Sequence, residues 1–245
     1  MTANPTARAE SRTSTARREI RDRILCLEMP PGESFSEGGL AASLDMGRTP
    51  VREALNLLAH EGLVAVAPHS GYRVVPVTLR DVRELLELRL PVEALAARLV
   101  ARRRDAAGLR ELVETAGAEA PGTDPLPLGH IAFSAALAAR AGNARAAEVG
   151  EYALHHQVRH LHLAAALGEP GWPTPDRRAL LAAIEAGDQD AAAAAVETEL
   201  RALGAAVFTA LVPVVAAHLD KDPSTTTQPD DLLDTDLGPL LPPRP

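Results

Sequence analysis

The stretch that most constrains the fold is Arg48–Val64, RTPVREALNLLAHEGLV. Val51, Ala54, Leu55 and Leu58 recur at i, i+3, i+4 and i+7, which makes one apolar stripe of a helix that must pack against a core. Arg48, Thr49 and Arg52 fall outside that stripe. The two arginines are one turn apart, so both guanidinium groups can point the same way. Gly62 then ends the helix as a residue tolerant of left-handed backbone. Taken alone, the stretch is a solvated amphipathic helix with two arginines, and its flanks are what give it a role.

Upstream, residues 1–15 are polar and lack periodicity, as expected of a disordered tail. Residues 16–27 read as a helix with Ile20, Ile24 and Leu27 on one face, stopped by Pro30-Pro31-Gly32. A second short helix spans 37–44, with Leu40, Ala41 and Leu44 inward, and Asp45-Met46-Gly47 is the turn before Arg48. Downstream, Leu63, Val64 and Val66 are strand-like. Pro68-His69-Ser70-Gly71 is turn chemistry, and Tyr72–Val75 is a second strand. Three helices and a two-strand ribbon over 16–77 predict a winged helix-turn-helix with a small β-hairpin wing. In that architecture the second helix of the motif enters the major groove.

Composition sets the class of the remainder. Aromatics make up 2% of the chain, so a core must be built from Leu, Val and Ala, which favours a mostly α protein. The net charge of −8 excludes a uniformly basic nucleic-acid binder. Residues 1–77, however, balance nine Arg against nine Asp and Glu, so the acidity lies in the rest of the chain. Lys221 is the only lysine, which leaves the cationic roles to arginine, the side chain suited to bidentate contact with guanine or phosphate. Cys26 is the only cysteine, which fits a reducing cytoplasm. No apolar run near ~18 residues is expected to span a membrane, and the N-terminus is unlike a secretory signal. No nucleophile–base constellation, phosphate-cradling glycine loop or carboxylate pair suggests an enzyme.

From Thr78, a capping residue with Asp81 three positions on, a helix runs to about Arg104 with Pro91 expected to kink it. Further helices are expected over about 106–117, 126–141, 144–167, 175–186 and 188–219. Thr174-Pro175 reads as a start signal and Gly187 as a stop. This makes 78–219 an all-helical bundle. Residues 220–245 carry six Asp against Lys221 and Arg244, are Pro-rich, and read as a disordered acidic tail.

The run PPGESFSEGGLAASLDMGRTPVREALNLLAHEGLVAVAPHSGYRVVPVT resembles the DNA-binding domain of the GntR family of bacterial transcription regulators. The resemblance implies that Arg48, Thr49 and Arg52, with His69, Ser70 and Gly71 in the wing, contact DNA. Two positions depart from the family pattern. Gly47 replaces a Ser or Thr that would cap the recognition helix, and Gly38 stands where some relatives carry an arginine. Arg17, Arg18 and His69 are candidates to supply the backbone anchoring instead.

The stretches DVRELLELRLPVEALAARLVARR, FSAALAARAGN and RRALLAAIEAGDQDAAAAAVETEL resemble the FCD domain, the effector-binding and dimerising half of FadR-type GntR regulators. That family often binds a divalent metal through one Asp and three His, and the metal holds a small carboxylate. Here the four positions fall on His130, Ser134, Arg177 and Glu199, so no metal or other cofactor is expected. Arg177 is expected to take the place of the metal's charge, pairing with Glu199 or with an anionic effector, and Arg89 is a candidate to join it. The alternative is an Arg177–Glu199 bridge in a pocket that has lost its ligand. His156, one turn from His160 in a cluster spanning His155 to His162, is a further candidate for the pocket.

The sequence therefore predicts a cytoplasmic homodimer, most often a repressor in this family. It would bind a palindromic double-stranded DNA operator and respond to a small effector held without metal. The alternative is an effector-independent regulator whose helical domain only dimerises.

Overall fold

The computed structural model describes residues 11–67, 71–117, 126–220 and 229–242. The chain divides into two compact units, residues 1–76 and 77–245.

The first unit opens with α1 (Arg12–Leu25), four residues earlier than the periodicity suggested. The Ser11 side chain accepts from the Ser14 N–H and caps it, a short polar signal that the disordered reading of the tail overlooked. Ala16, Ile20 and Ile24 are fully buried. They meet α3 (Arg48–His60), whose Val51, Ala54, Leu55 and Leu58 are likewise fully buried. The short α2 (Glu37–Ser43) is capped by Ser36 and contributes Leu40 and Ala41. Glu61, at the C-cap of α3, accepts from Arg17 Nε at 2.6 Å and from Arg21 Nε and Nη2 at 3.1 and 2.8 Å. Arg17 thus ties α1 to α3, where it had been a candidate for DNA anchoring.

Gly62 adopts φ +68°, and its N–H and that of Leu63 close back on the carbonyls of Ala59 and Leu58. The chain then enters β2 (Val64–Ala67), which pairs antiparallel with β3 (Gly71–Val74), Val64 opposite Val74. The expected two-strand ribbon is in fact three-stranded. β1 (Ser34–Phe35) adds to the outer side of β3, Phe35 opposite Tyr72, with their rings stacked at 6.1 Å. Two residues after a Pro-Pro-Gly turn carry too little alternation to reveal a strand. Gly71 is obligatory at that edge. Its φ is +93°, and a Cβ there would lie 2.8 Å from the Phe35 carbonyl oxygen.

The second unit is helical. α4 (Leu79–Arg103) starts at a complete capping box between Thr78 and Asp81 and continues through Pro91. α6 (Leu128–Ala141), α7 (Ala144–Leu167), α8 (Arg178–Ala186) and α9 (Gln189–Leu219) pack against it, and α5 (Ala106–Gly117) packs on α6 and α8. α8 begins at Arg178 rather than at Pro175. Asp176, not Thr174, accepts from the first free N–H of that turn. The core joins Ala97, Val100, Phe133, Leu137, Leu180, Ile184, Val196 and Leu200. α9 is long and apolar enough to cross a bilayer, contrary to the expectation that no such run exists. Its stripe from Val196 through Leu203, Val207 and Leu211 to Val215 is buried in the bundle against α4, α7 and α8.

The acidic tail is a second correction. Within residues 229–242 the chain forms α10 (Pro229–Asp234) and a single 3-10 turn, Gly238–Leu240. Leu237 is fully buried, and its N–H donates to the Val77 carbonyl at 2.8 Å. Arg80 donates through Nε and Nη2 to both carboxylate oxygens of Asp234, at 2.5 and 2.9 Å. Acidic, Pro-rich composition suggested solvation, but α10 packs against α4 and α9, with Leu232 and Leu233 half-buried and Leu237 buried.

Candidate functional site

On the first unit, α3 carries Arg48, Thr49 and Arg52, all exposed. The stripe geometry explains why. The buried positions consume one face, and these three flank it on the first turn and a half, where the helix start leaves them exposed. Gly47 is the N-cap and makes no side-chain cap bond, so the backbone donors of that turn remain open toward the same face. The Arg48 guanidinium lies over Gly38. A Cβ there would sit 3.3 Å from Arg48 Nη2, so the missing side chain in α2 leaves the room that Arg48 occupies.

Arg52 is held by a residue that sequence reasoning did not single out. Its Nε and Nη2 donate to the two carboxylate oxygens of Glu37, at 2.8 and 2.9 Å. The hydrogen bonds from Arg52, with the charges of Arg52 and Arg48, hold the Glu37 carboxyl below its usual range. Arg73 on β3, also exposed, donates to the Gly32 carbonyl at 3.1 Å. Gly71 stands at the described edge of the wing, while His69 and Ser70 lie outside the described residues.

In the second unit, polar side chains from five helices or their ends converge inside the bundle. Arg89, 1% exposed, donates to Glu93 at 2.7 Å, to Gln157 at 2.9 Å and to the Ser134 hydroxyl at 3.4 Å. The Ser134 hydroxyl in turn donates to Glu93 at 2.7 Å. Arg89 and Ser134 therefore belong to a closed network with Glu93 and Gln157, and Arg89 does not join Arg177 as had been considered.

Arg177, at the N-cap of α8, is buried. Its guanidinium carbon lies 3.8 Å from the centre of the Phe133 ring. Its Nε is 3.4 Å from a Glu199 carboxylate oxygen, and its Nη2 is 3.4 Å from His130 Nδ1. An arginine has no acceptor, so His130 Nδ1 accepts and Nε2 carries the hydrogen. That Nε2 is buried without a hydrogen-bond partner. Burial, reinforced by the charges of Arg89 and Arg177, pushes the His130 imidazole well below its usual pKa and keeps it neutral.

His130 and Glu199 line a cleft of about 160 Å³, together with Thr174, Thr198, Leu203 and three prolines, Pro127, Pro173 and Pro175. Thr174 and Thr198 were not foreseen, because they lie in a loop and on an exposed helix position. His156 is not among the lining residues. Its ring packs on Tyr152 at 4.5 Å on α7. Its neighbour one turn on, His160, is 2% exposed, and burial first, then Arg159, His156 and Arg89, push it well below its usual pKa.

A divalent metal does not fit this set. A permanent cation, Arg177, stands between His130 and Glu199, and Ser134 is committed to Glu93 and Arg89. Among the described residues no three His, Cys, Asp or Glu side chains are grouped as metal ligands.

Known proteins share both units. Residues 12–74 match the model of the bacterial regulatory proteins of the gntR family, and residues 84–202 match the FCD domain. A stretch of 101 residues is 46% identical to an HTH-type transcriptional regulator in an unstable DNA locus of Streptomyces ambofaciens, covering 37% of this chain and 42% of that protein. Another of 86 residues is 36% identical to the gluconate operon transcriptional repressor of Bacillus licheniformis, covering 34% and 35%. The chain thus spans less than half the length of these relatives. Among solved structures, E. coli McbR/YncC superposes with a TM-score of 0.66 at 22% identity, over 81% of this chain and 98% of that one. A GntR-type regulator from Rhodococcus sp. RHA1 superposes with a TM-score of 0.61 at 24% identity, over 81% and 98%. These two likenesses concern the fold. By its two matched domains, the chain belongs to the gntR family of bacterial regulatory proteins, with a GntR helix-turn-helix domain followed by an FCD domain.

Proposed function

We propose that the protein is a cytoplasmic, dimeric transcription regulator, acting as a repressor, that binds a palindromic operator through α3 and the wing. The observation that carries this reading is the exposed row Arg48, Thr49 and Arg52 on a helix whose other face is fully buried. Two such helices related by a dimer axis would read two half-sites one helical turn apart. Arg48→Ala and Arg52→Ala are each expected to weaken binding to the preferred DNA by about 1–3 kcal/mol and to relax sequence preference. Enrichment of random genomic fragments followed by footprinting is the measurement, and footprints unchanged in both variants would defeat the assignment.

The helical domain would take a small effector without metal. Arg177 supplies a fixed positive charge, and the unpartnered Nε2–H of His130 offers a donor to an acceptor oxygen such as that of a carboxylate. The apolar, proline-stiffened walls favour a compact ligand. Chelator-treated protein is therefore expected to be stabilised by one or more small acids in a thermal-shift panel, by about 2.7 kcal/mol at a hundredfold excess over Kd. Tight stoichiometric zinc binding in calorimetry would overturn the metal-free reading. A second reading has the helical domain serving dimerisation alone, and it is favoured by Arg177 already facing Glu199 and the Phe133 ring. No response to any acid, with DNA binding intact, would select it.

A further inference from the structure

Glu37 stands on the DNA-reading face, where a carboxylate is electrostatically out of place beside phosphates. Its geometry accounts for it. A guanidinium has five N–H groups in a fixed fork. Glu37 takes the side edge of Arg52, engaging Nε–H and one hydrogen of Nη2. Three donors remain, two on Nη1 and one on Nη2. The end-on pair among them, one hydrogen on each Nη, runs nearly parallel in the fork that matches N7 and O6 of guanine.

The pair also restricts Arg52. Its side chain is 61% exposed and would otherwise sample many rotamers, whereas the Glu37 side chain, at 18% exposure, is the more fixed partner on the first turn of α2. Anchoring the flexible arginine to the fixed glutamate removes conformational freedom before DNA arrives. The occupied side edge is one of the two bidentate forks through which an arginine can grip a phosphate. Glu37 therefore removes one of the two forks open to phosphate and leaves the end-on fork aimed forward for a base edge.

We propose that Glu37 is a specificity-determining positioning residue, which holds Arg52 end-on to a guanine edge and denies its side edge to phosphate. The proposal rests on the reading of Arg52 as a base contact. It implies that α2 contributes to sequence selection through a residue that need not touch DNA.

The test uses a DNA fragment selected by the full-length protein, the same fragment with 7-deazaguanine at its preferred guanine, and a scrambled duplex. Each is titrated at several salt concentrations with wild type, Glu37→Ala, Glu37→Gln and Arg52→Ala. Wild type is expected to lose about 5-fold or more in affinity to the deaza fragment, the lower end of one bidentate contact. In Glu37→Ala that penalty should shrink, scrambled-duplex affinity should rise, and the salt slope should steepen by about one phosphate contact as Arg52 is released to the backbone. Glu37→Gln, which keeps one acceptor, should fall between. Thermal melts show whether the variants are folded. A Glu37→Ala protein that keeps the full deaza penalty, or that loses affinity for both duplexes equally, overturns the proposal. Unchanged discrimination in Arg52→Ala overturns instead the reading on which it rests.

Discussion

Arg89→Ala is expected to destabilise the helical unit by about 3–5 kcal/mol, a large part of the ~5–15 kcal/mol that holds a typical domain together. The magnitude follows from what is left behind. Arg89 and Glu93 are an i, i+4 pair on α4, both almost fully buried, and the arginine is also the donor to Gln157. Removing the arginine leaves the Glu93 carboxylate buried with the Ser134 hydroxyl as its remaining named donor. Replacing both partners together, Arg89→Met with Glu93→Leu, should cost far less than either single change, because no uncompensated charge remains. Denaturant titration of the four proteins measures the cycle. A single-variant loss under about 1 kcal/mol would mean that water reaches the site and screens the pair.

The second large effect is acid sensitivity. His130 and His160 are buried and neutral in the folded protein, with pKa values pushed well below the ordinary 6.5, whereas the unfolded chain protonates them near that value. Below it the unfolded state binds more protons, so stability falls as pH drops toward the folded-state values. The slope reaches about 1.4 kcal/mol per pH unit for each histidine. Arg89 and Arg177 face His130, while Arg159, His156 and Arg89 act on His160, so neighbouring charge adds to the effect of burial in both cases. Unfolding midpoints measured from about pH 7 to pH 5 should fall steadily. His130→Gln and His160→Gln should each remove a large part of the slope, with His162, whose pKa burial also lowers, contributing a smaller share. A flat profile in wild type would show that these rings take up protons without unfolding.

The sequence exposed those parts of the molecule whose physics is local. The spacing of Val51, Ala54, Leu55 and Leu58, together with Gly62, is enough to define α3 and its exit, because helix period and cap chemistry act within a few residues. Arg48 and Arg52 could be chosen as the outward pair for the same reason. What escaped was whatever depends on a distant partner. β1 exists because β3 offers it an edge, and nothing within Ser34-Phe35 announces that. Glu37 looked like an ordinary first-turn acid until Arg52, 15 positions away, was seen to grip it. Arg89 is recognisable as a match to a family, but its partners Ser134 and Gln157 are 45 and 68 positions off. His156 was drawn toward the cleft by its i, i+4 relation to His160. Yet that spacing fixes only a shared helix face, on which the His156 ring packs against Tyr152, and says nothing of the cleft.

The segment seated on α4 has a consequence for synthesis. Arg80 and Asp234 are 154 positions apart, and Leu237 closes on Val77, the residue with which the second unit begins. The first turn of α4 therefore leaves the ribosome long before the side chain that covers it exists. In the interval the helical unit is an open ring whose seam is the Val77 carbonyl and the surface that Leu237 will bury. Closing so long a loop adds little entropy beyond that of a shorter one, about 0.6 kcal/mol per doubling, so the delay rather than the distance governs this step. Joining the two ends of the unit by a short peptide and opening the chain elsewhere would preserve every contact named here, and the order in which they form would change.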